Sequence, residues 1–303
     1  QYKVLQDAGF AADFTAGHSF GELTSLWAAG VYDDKTFMAL AKNRGAAMAI
    51  QNPSADSGTM MAVRESQEKV QAAINGLADV KIANINSHTQ VVLGGSTAGI
   101  ERAEKHLSSL GMSVVKLPVS AAFHTDFVKH AQEPFSNFID IQHFNEPKIA
   151  VYSNSMGDRF PNDPSSIKSI LKQQILTPVY FKNQIENIYK AGGRIFVEFG
   201  PKGVLTNLVK NILKDKGHRA IAINPNAKGD SDQQLRQAYV QLAVLGLKFR
   251  LAGELPWGDA PQLSLGVQIK SLDEGEVPLA VGAARTSGVD VYLAASRLWL
   301  DGP

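Results

Sequence analysis

The chain has 303 residues, 44% of them apolar and 19% charged, with 30 Lys plus Arg against 29 Asp plus Glu and a net charge of +1. This is core material for about two ordinary domains, or one large α/β domain with a smaller one inserted, and its balanced charge argues against a nucleic-acid or anionic-membrane surface as its main role. The absence of cysteine excludes a disulfide framework, a thiolate nucleophile, an Fe–S cluster and a Cys-based zinc site, leaving Ser, His, Arg and carboxylates for any chemistry. No apolar run reaches the roughly 18–20 residues a bilayer span needs, and the first residues do not form a signal peptide, so the reading is a cytoplasmic protein with no membrane partner.

Tyr2, Leu5 and Phe10 mark a first helix stopped by Gly9, already under way at residue 1, which reads as an excised domain or a fragment of something longer. A short strand, 12–16, runs into Gly17-His18-Ser19-Phe20-Gly21, and a helix follows from Glu22 to Ala29. Asp33 and Asp34 supply an N-cap for a longer helix to about Ile50. The turn-rich segment 51–58 marks a boundary. From Thr59 to Val119 the pattern becomes strand, helix, hairpin, helix, strand, a β-α-β-β-α-β order that predicts an inserted ferredoxin-like subdomain over 58–120. Strands at 149–153, 195–199 and 220–223 then alternate with helices up to about residue 247. The expected fold class is therefore α/β: a mostly parallel sheet with helices on both faces, an α/β-hydrolase-like core over 1–57 and 121–250. Residues 251–303 carry short Val/Leu runs between Gly and Pro and stay unassigned.

Gly17-His18-Ser19-Phe20-Gly21 fits G-x-S-x-G between a predicted strand and a predicted helix, the context a nucleophile elbow requires. Ser19 would sit at the tip of a sharp turn, with the Phe20 N–H as an oxyanion-hole donor. The same pentapeptide can also serve as a structural turn. A serine nucleophile needs a base. Of seven histidines, His18 adjoins Ser19 and should point away from it, whereas His124 lies where the chain leaves the inserted unit and returns to the larger one. Arg44 falls within the apolar stripe made by Phe37, Leu40, Ala41 and Met48. A guanidinium there must find an anion: either a core carboxylate such as Glu198, or a substrate carboxylate held bidentately.

With Arg44-Gly45-Ala46-Ala47-Met48, Ala122-Phe123-His124-Thr125 and Phe196-Val197-Glu198-Phe199-Gly200-Pro201 added to the elbow, the chain resembles the malonyl-CoA:acyl-carrier-protein acyltransferase family over residues 1–247. This family comprises the transacylases of fatty-acid synthesis and the acyltransferase domains of polyketide synthases. The wording near both ends of that range is most similar to bacterial polyunsaturated-fatty-acid synthases. The resemblance implies Ser19 as nucleophile and His124 as general base, then acid. It implies Arg44 as the partner of the malonyl carboxylate, and Gln174, four residues before Pro178, as the residue whose main-chain carbonyl orients the histidine. Phe123 would favour malonyl over branched donors, and Glu22 would have a structural role at the elbow.

The resemblance implies no bound cofactor and no metal. Coenzyme A brings the acyl group as a thioester, and the phosphopantetheine thiol of an acyl carrier protein receives it. Other domains of a multidomain synthase are expected partners. The family's Gly-Gln-Gly turn, source of a second oxyanion N–H, is not found in this sequence. A serine esterase or thioesterase, and an inactive carrier-protein docking module, are the alternatives.

Overall fold

A computed structural model describes residues 1–49, 55–245, 249–252, 262–271 and 287–296. In chain order the elements are α1 (Tyr2–Asp7), β1 (Phe14–Ala16), α2 (Gly21–Ala28), α3 (Asp34–Met48), β2 (Thr59–Arg64), α4 (Gln67–Ala73), β3 (Val80–Ser87), β4 (Gln90–Gly95), α5 (Thr97–Ser109) and β5 (Ser113–Lys116). A 3₁₀ turn (Asp126–Ala131) leads to α6 (Gln132–Asp140), β6 (Ala150–Tyr152), α7 (Pro164–Gln173), α8 (Phe181–Lys190), β7 (Ile195–Pro201), α9 (Val204–Ile212), β8 (Arg219–Asn224) and α10 (Ser231–Val244). Three strands follow: β9 (Phe249–Ala252), β10 (Gln262–Ser271) and β11 (Ser287–Ser296).

The helix starts are written in the sequence. Asp33, Ser66, Ser96, Asp163 and Asp230 each accept a hydrogen bond from a backbone N–H in the first turn of the helix that follows, satisfying a donor the helix itself cannot.

The chain forms two compact units. One comprises 1–11, 197–206 and 220–303; its core joins Leu5 with Ile221 and Ile223 of β8 and Ala238 and Leu242 of α10. Here Glu198 caps α9: its carboxylate accepts from the N–H groups of Leu205 and Thr206 and from the Thr206 hydroxyl. Of residues 251–303, left unassigned by sequence, the described ones complete β9 and form β10 and β11 of the antiparallel sheet β11-β10-β9; the remainder lie outside the described residues.

The other unit, 12–196 with 207–219, carries every residue of interest near Ser19. The sheet expected to be mostly parallel is divided instead. β1 pairs in parallel with β6, β7 pairs with β8, and the largest sheet of this unit is the antiparallel β3-β4-β2-β5. The cause is local: the alternating runs of 59–119 close on themselves as neighbouring strands, with α4 and α5 packed on one face around Val63, Val70, Leu93, Ile100 and Leu107. The segments entering and leaving this sheet run together, the Ala122 N–H donating to the Ser57 carbonyl at 3.0 Å. Val179 adds a further parallel bridge to β3, its carbonyl accepting from the Ile85 N–H at 2.8 Å. These contacts bring 121–125 and 174–180 together at the edge of the small sheet.

The larger cluster of this unit packs α2, α3, α6 and α7 around Leu26, Leu40, Phe135, Ile139, Val151 and Leu171. Phe135, at the centre of α6, is 1% exposed. Phe135→Ala should therefore cost about 3–5 kcal/mol, read as a lowered urea midpoint with an unchanged slope.

Candidate active site

β1 ends at Ala16, and the chain must turn at once to begin α2. Gly17 makes that possible: a Cβ there would lie 2.0 Å from the Gly21 carbonyl carbon and oxygen. A Cβ at Gly21 meets nothing, so only the first glycine of the motif is sterically required. Ser19 occupies the tip with φ +53°, a left-handed conformation that a non-glycine residue adopts only when its surroundings hold it there. His124 has φ +61°. Both side chains thus leave strained turns, and they meet: Ser19 Oγ lies 2.7 Å from His124 Nε2.

The histidine's tautomer follows from its other nitrogen. Nδ1 lies 3.1 Å from the main-chain carbonyl of Gln174 and 3.1 Å from that of Thr177. Carbonyls only accept, so Nδ1 carries the proton and Nε2 is left with a lone pair facing the serine hydroxyl. The imidazole is 1% exposed. Burial, reinforced by the Arg44 cation, pushes its pKa down to about 4 against the pull of the two carbonyls. It is a neutral base across the physiological range.

Asn154 holds the elbow from the end of β6. Its Oδ1 accepts from the Ser19 N–H at 2.7 Å, and its Nδ2 donates to the Gly17 carbonyl at 2.7 Å. The Asn154 backbone N–H in turn donates to Glu22 Oε1 at 2.8 Å. Glu22 is fully buried on the first turn of α2, where burial pushes its pKa up to about 7 against the Asn154 N–H and the nearby Arg44 charge. His18 points away from the serine, bonding Asn86 Oδ1 through Nε2 at 2.8 Å and packing edge-on against Phe181.

Arg44, on α3, is 7% exposed. Its Nη2 reaches Gln174 Oε1 only at 3.5 Å, its Nε has no hydrogen-bond partner among the described residues, and its Cζ lies 5.8 Å from the Phe20 ring centroid. Burial lowers its pKa to about 10 while Glu22 opposes the shift. Glu198, the core carboxylate considered as its partner, is instead committed to the start of α9. The guanidinium therefore has an unused Nε donor and no ion pair to a carboxylate among the described residues.

Of the residues singled out by sequence, Ser19, His124, Arg44 and Gln174 come together through direct contacts, with Phe20 beside them under the Arg44 cation. Phe123 is half-buried between two apolar clusters. Asn154 and Thr177 were not anticipated. Asn154 had one available signal: it follows β6 by two residues as Ser19 follows β1 by three, and side chains just past the C-terminal ends of parallel neighbours converge. Among the described residues no cluster of His, Asp or Glu is placed to hold a metal ion, and no helix is long and apolar enough to cross a membrane.

The profile of the acyl transferase domain family matches residues 1–248. The chain belongs to the acyl transferase domain family. A second profile, of a protein family of unknown function, matches residues 217–303. The malonyl CoA-acyl carrier protein transacylase of Synechocystis sp. is 35% identical over 219 residues, 70% of each chain. A polyunsaturated fatty acid synthase polypeptide of Thraustochytrium sp. is 36% identical over 93% of this chain, which spans only 10% of that protein's length. The crystal structure of a malonyl CoA-acyl carrier protein transacylase from Clostridium perfringens superimposes with TM-score 0.71 at 29% identity, covering 80% of this chain and 76% of that one.

The low pKa of His124 sets a pH dependence. Reaction of Ser19 with a serine-directed reagent should be lost only as pH falls through about 4, where the imidazole protonates, and should be level above that. Arg44→Met removes a cation that disfavours imidazolium, so the acid limb should move to higher pH; rates measured across about pH 3–9 check both outcomes.

Proposed function

We propose that this acyl transferase domain moves malonyl from coenzyme A to the phosphopantetheine thiol of an acyl carrier protein through an ester on Ser19. The observation that carries the donor assignment is Arg44: a buried guanidinium with an unpartnered Nε beside a serine–histidine pair suits an acyl group that ends in a free carboxylate. A simple ester or an acetyl group would leave that charge unanswered. The relatives named as malonyl transacylases support the same reading.

In the first half-reaction the Ser19 oxygen attacks the thioester carbonyl while its proton passes to His124 Nε2. The tetrahedral oxyanion is held by the Phe20 N–H, near the positive end of α2. The C–S bond then breaks, and the imidazolium returns the proton to the departing sulfur, leaving a malonyl ester. In the second half the carrier thiol gives its proton to His124 and attacks that ester, and Ser19 leaves with the proton returned. The Gln174 and Thr177 carbonyls stabilise the transient imidazolium through Nδ1, so no third carboxylate is needed. Arg44 pairs with the malonyl carboxylate throughout. Phe123 limits room for an α-branch, worth only about 1–3 kcal/mol of preference. No bound cofactor takes part.

The core with its inserted unit at 58–120, which we read as ferredoxin-like from its strand order, is the domain that performs this transfer. The far greater length of the polyunsaturated-fatty-acid synthase relative fits a setting among other synthase domains, with a tethered carrier protein as acceptor.

Intact-protein mass spectrometry after incubation with malonyl-CoA should show a malonyl adduct that is absent in Ser19→Ala. An adduct retained in that variant, or none with the wild type, would reject the mechanism. Arg44→Ala should reduce malonyl transfer by on the order of 10²-fold, the value of a charge-assisted bidentate pair, while sparing or raising acetyl transfer. Equal losses with both donors would remove the carboxylate-binding role.

A further inference from the structure

The peptide planes on either side of Ser19 are held by two different buried carboxamides. Asn154 accepts from the Ser19 N–H and so fixes the plane before the nucleophile. Gln174 acts on the plane after it: its side-chain Nε2 donates to the Ser19 carbonyl at 2.8 Å, beside the Glu22 backbone N–H, which donates to the same oxygen at 3.1 Å. Because a trans peptide directs its C=O and N–H to opposite sides, whatever grips the Ser19 oxygen also aims the Phe20 N–H. That N–H has no hydrogen-bond partner among the described residues. Gln174 is 1% exposed and cannot swing away without stranding its amide.

We propose that the Gln174 side chain is a positioning residue for the oxyanion donor, separate from the role of its main-chain carbonyl toward His124. One residue thereby orients both halves of the machinery through different atoms. The carbonyl fixes the base, at 3.1 Å from Nδ1, and the amide nitrogen fixes the peptide that receives the negative charge. Ser19 needs such a hold more than an ordinary residue does. At φ +53° the turn persists only while its surroundings hold it, and the Gln174 amide is the side-chain donor among the groups that hold the 19–20 peptide. The Oε1 contact to Arg44, at 3.5 Å, leaves the amide oriented with its NH₂ toward the elbow. This inference rests on the serine-nucleophile reading above and is independent of which acyl donor the enzyme uses.

Gln174→Met separates the two roles, since it keeps the main-chain carbonyl and much of the side-chain volume but donates nothing. A fluorophosphonate probe tests it without any thioester: Ser19 Oγ bonds to phosphorus, fluoride leaves, the hydroxyl proton passes through His124 to solvent, and the phosphoryl oxygen occupies the oxyanion position. The variant should react roughly 10- to 100-fold more slowly than wild type, up to the loss of a whole donor, with its acid limb at the same pH and its melting temperature close to wild type. In the wild type, the Phe20 amide proton should move downfield on phosphonylation, and in the variant it should move less. A variant rate within threefold of wild type would overturn the proposal. So would a slowed rate with a displaced acid limb, which would mean that the loss acts through His124. Should the variant fail to fold, the wild-type spectrum still decides: an unmoved Phe20 amide overturns the proposal. A wild type that reacts with the probe but takes no malonyl rejects only the donor assignment. One that does not react at all rejects the serine reading, and this inference with it.

Discussion

The hydrogen bond between Ser19 and His124 joins residues 105 apart in sequence, and both of its ends are in left-handed backbone conformations. Each such conformation costs on the order of 1–3 kcal/mol, so the turns persist only because their surroundings leave them no alternative. At the serine end the constraint is Gly17, which lets the chain pass against the start of α2, together with the amides of Asn154 and Gln174. At the histidine end it is the crossing of two chain segments, where Ala122 pairs with Ser57 and the Thr125 hydroxyl bonds the Ala122 carbonyl. The antiparallel sheet between residues 59 and 116 therefore does more than occupy an insertion. Its two ends fix where His124 stands.

Electrostatics make the second constraint. Arg44, His124 and Glu22 are all buried around the elbow, and burial acts on each in the direction that removes charge. Arg44 keeps its charge, and that charge adds to burial in holding His124 neutral. Glu22 offsets part of that cost without forming a direct ion pair among the described residues: its Oε1 accepts from the Asn154 N–H, and its buried Oε2 has no hydrogen-bond partner there. A closer carboxylate would satisfy Arg44 fully and leave it nothing to offer a substrate. An incompletely paired guanidinium is costly to the fold and is the property that recommends the site for an anionic acyl group.

Much of this was legible in the sequence, for physical reasons. Helix starts were visible because Asp and Ser caps satisfy local donors, and the hairpin and helices of 59–116 were visible because their apolar periods switch between two and 3.6. Ser19 announced itself through its strand-turn-helix setting, and Arg44 through its place on an apolar stripe. The sheet pairing was read less well. Short apolar strands do not say which neighbour they take, and the expected parallel sheet is, in this unit, the β1–β6 pair beside an antiparallel four-stranded one. Asn154 carried no local pattern, because its function depends on β6 lying against β1, a pairing between segments 136 residues apart.

The sequence by itself determined the chemistry available: no thiol, a serine on a tight turn, a histidine at a domain crossing and an arginine that required an anion. Only the tertiary structure decided which groups answer one another. Glu198 was free to pair with Arg44 as far as composition and spacing could tell, and the fold spends it on the first turn of α9. Gln174 was marked for its carbonyl, and the fold also turns its side chain onto the serine backbone. The reason is the same in both cases. Periodicity and capping act over a few residues, whereas a buried polar group takes whichever partner packing brings within about 3 Å, and that is settled by segments far apart in the chain.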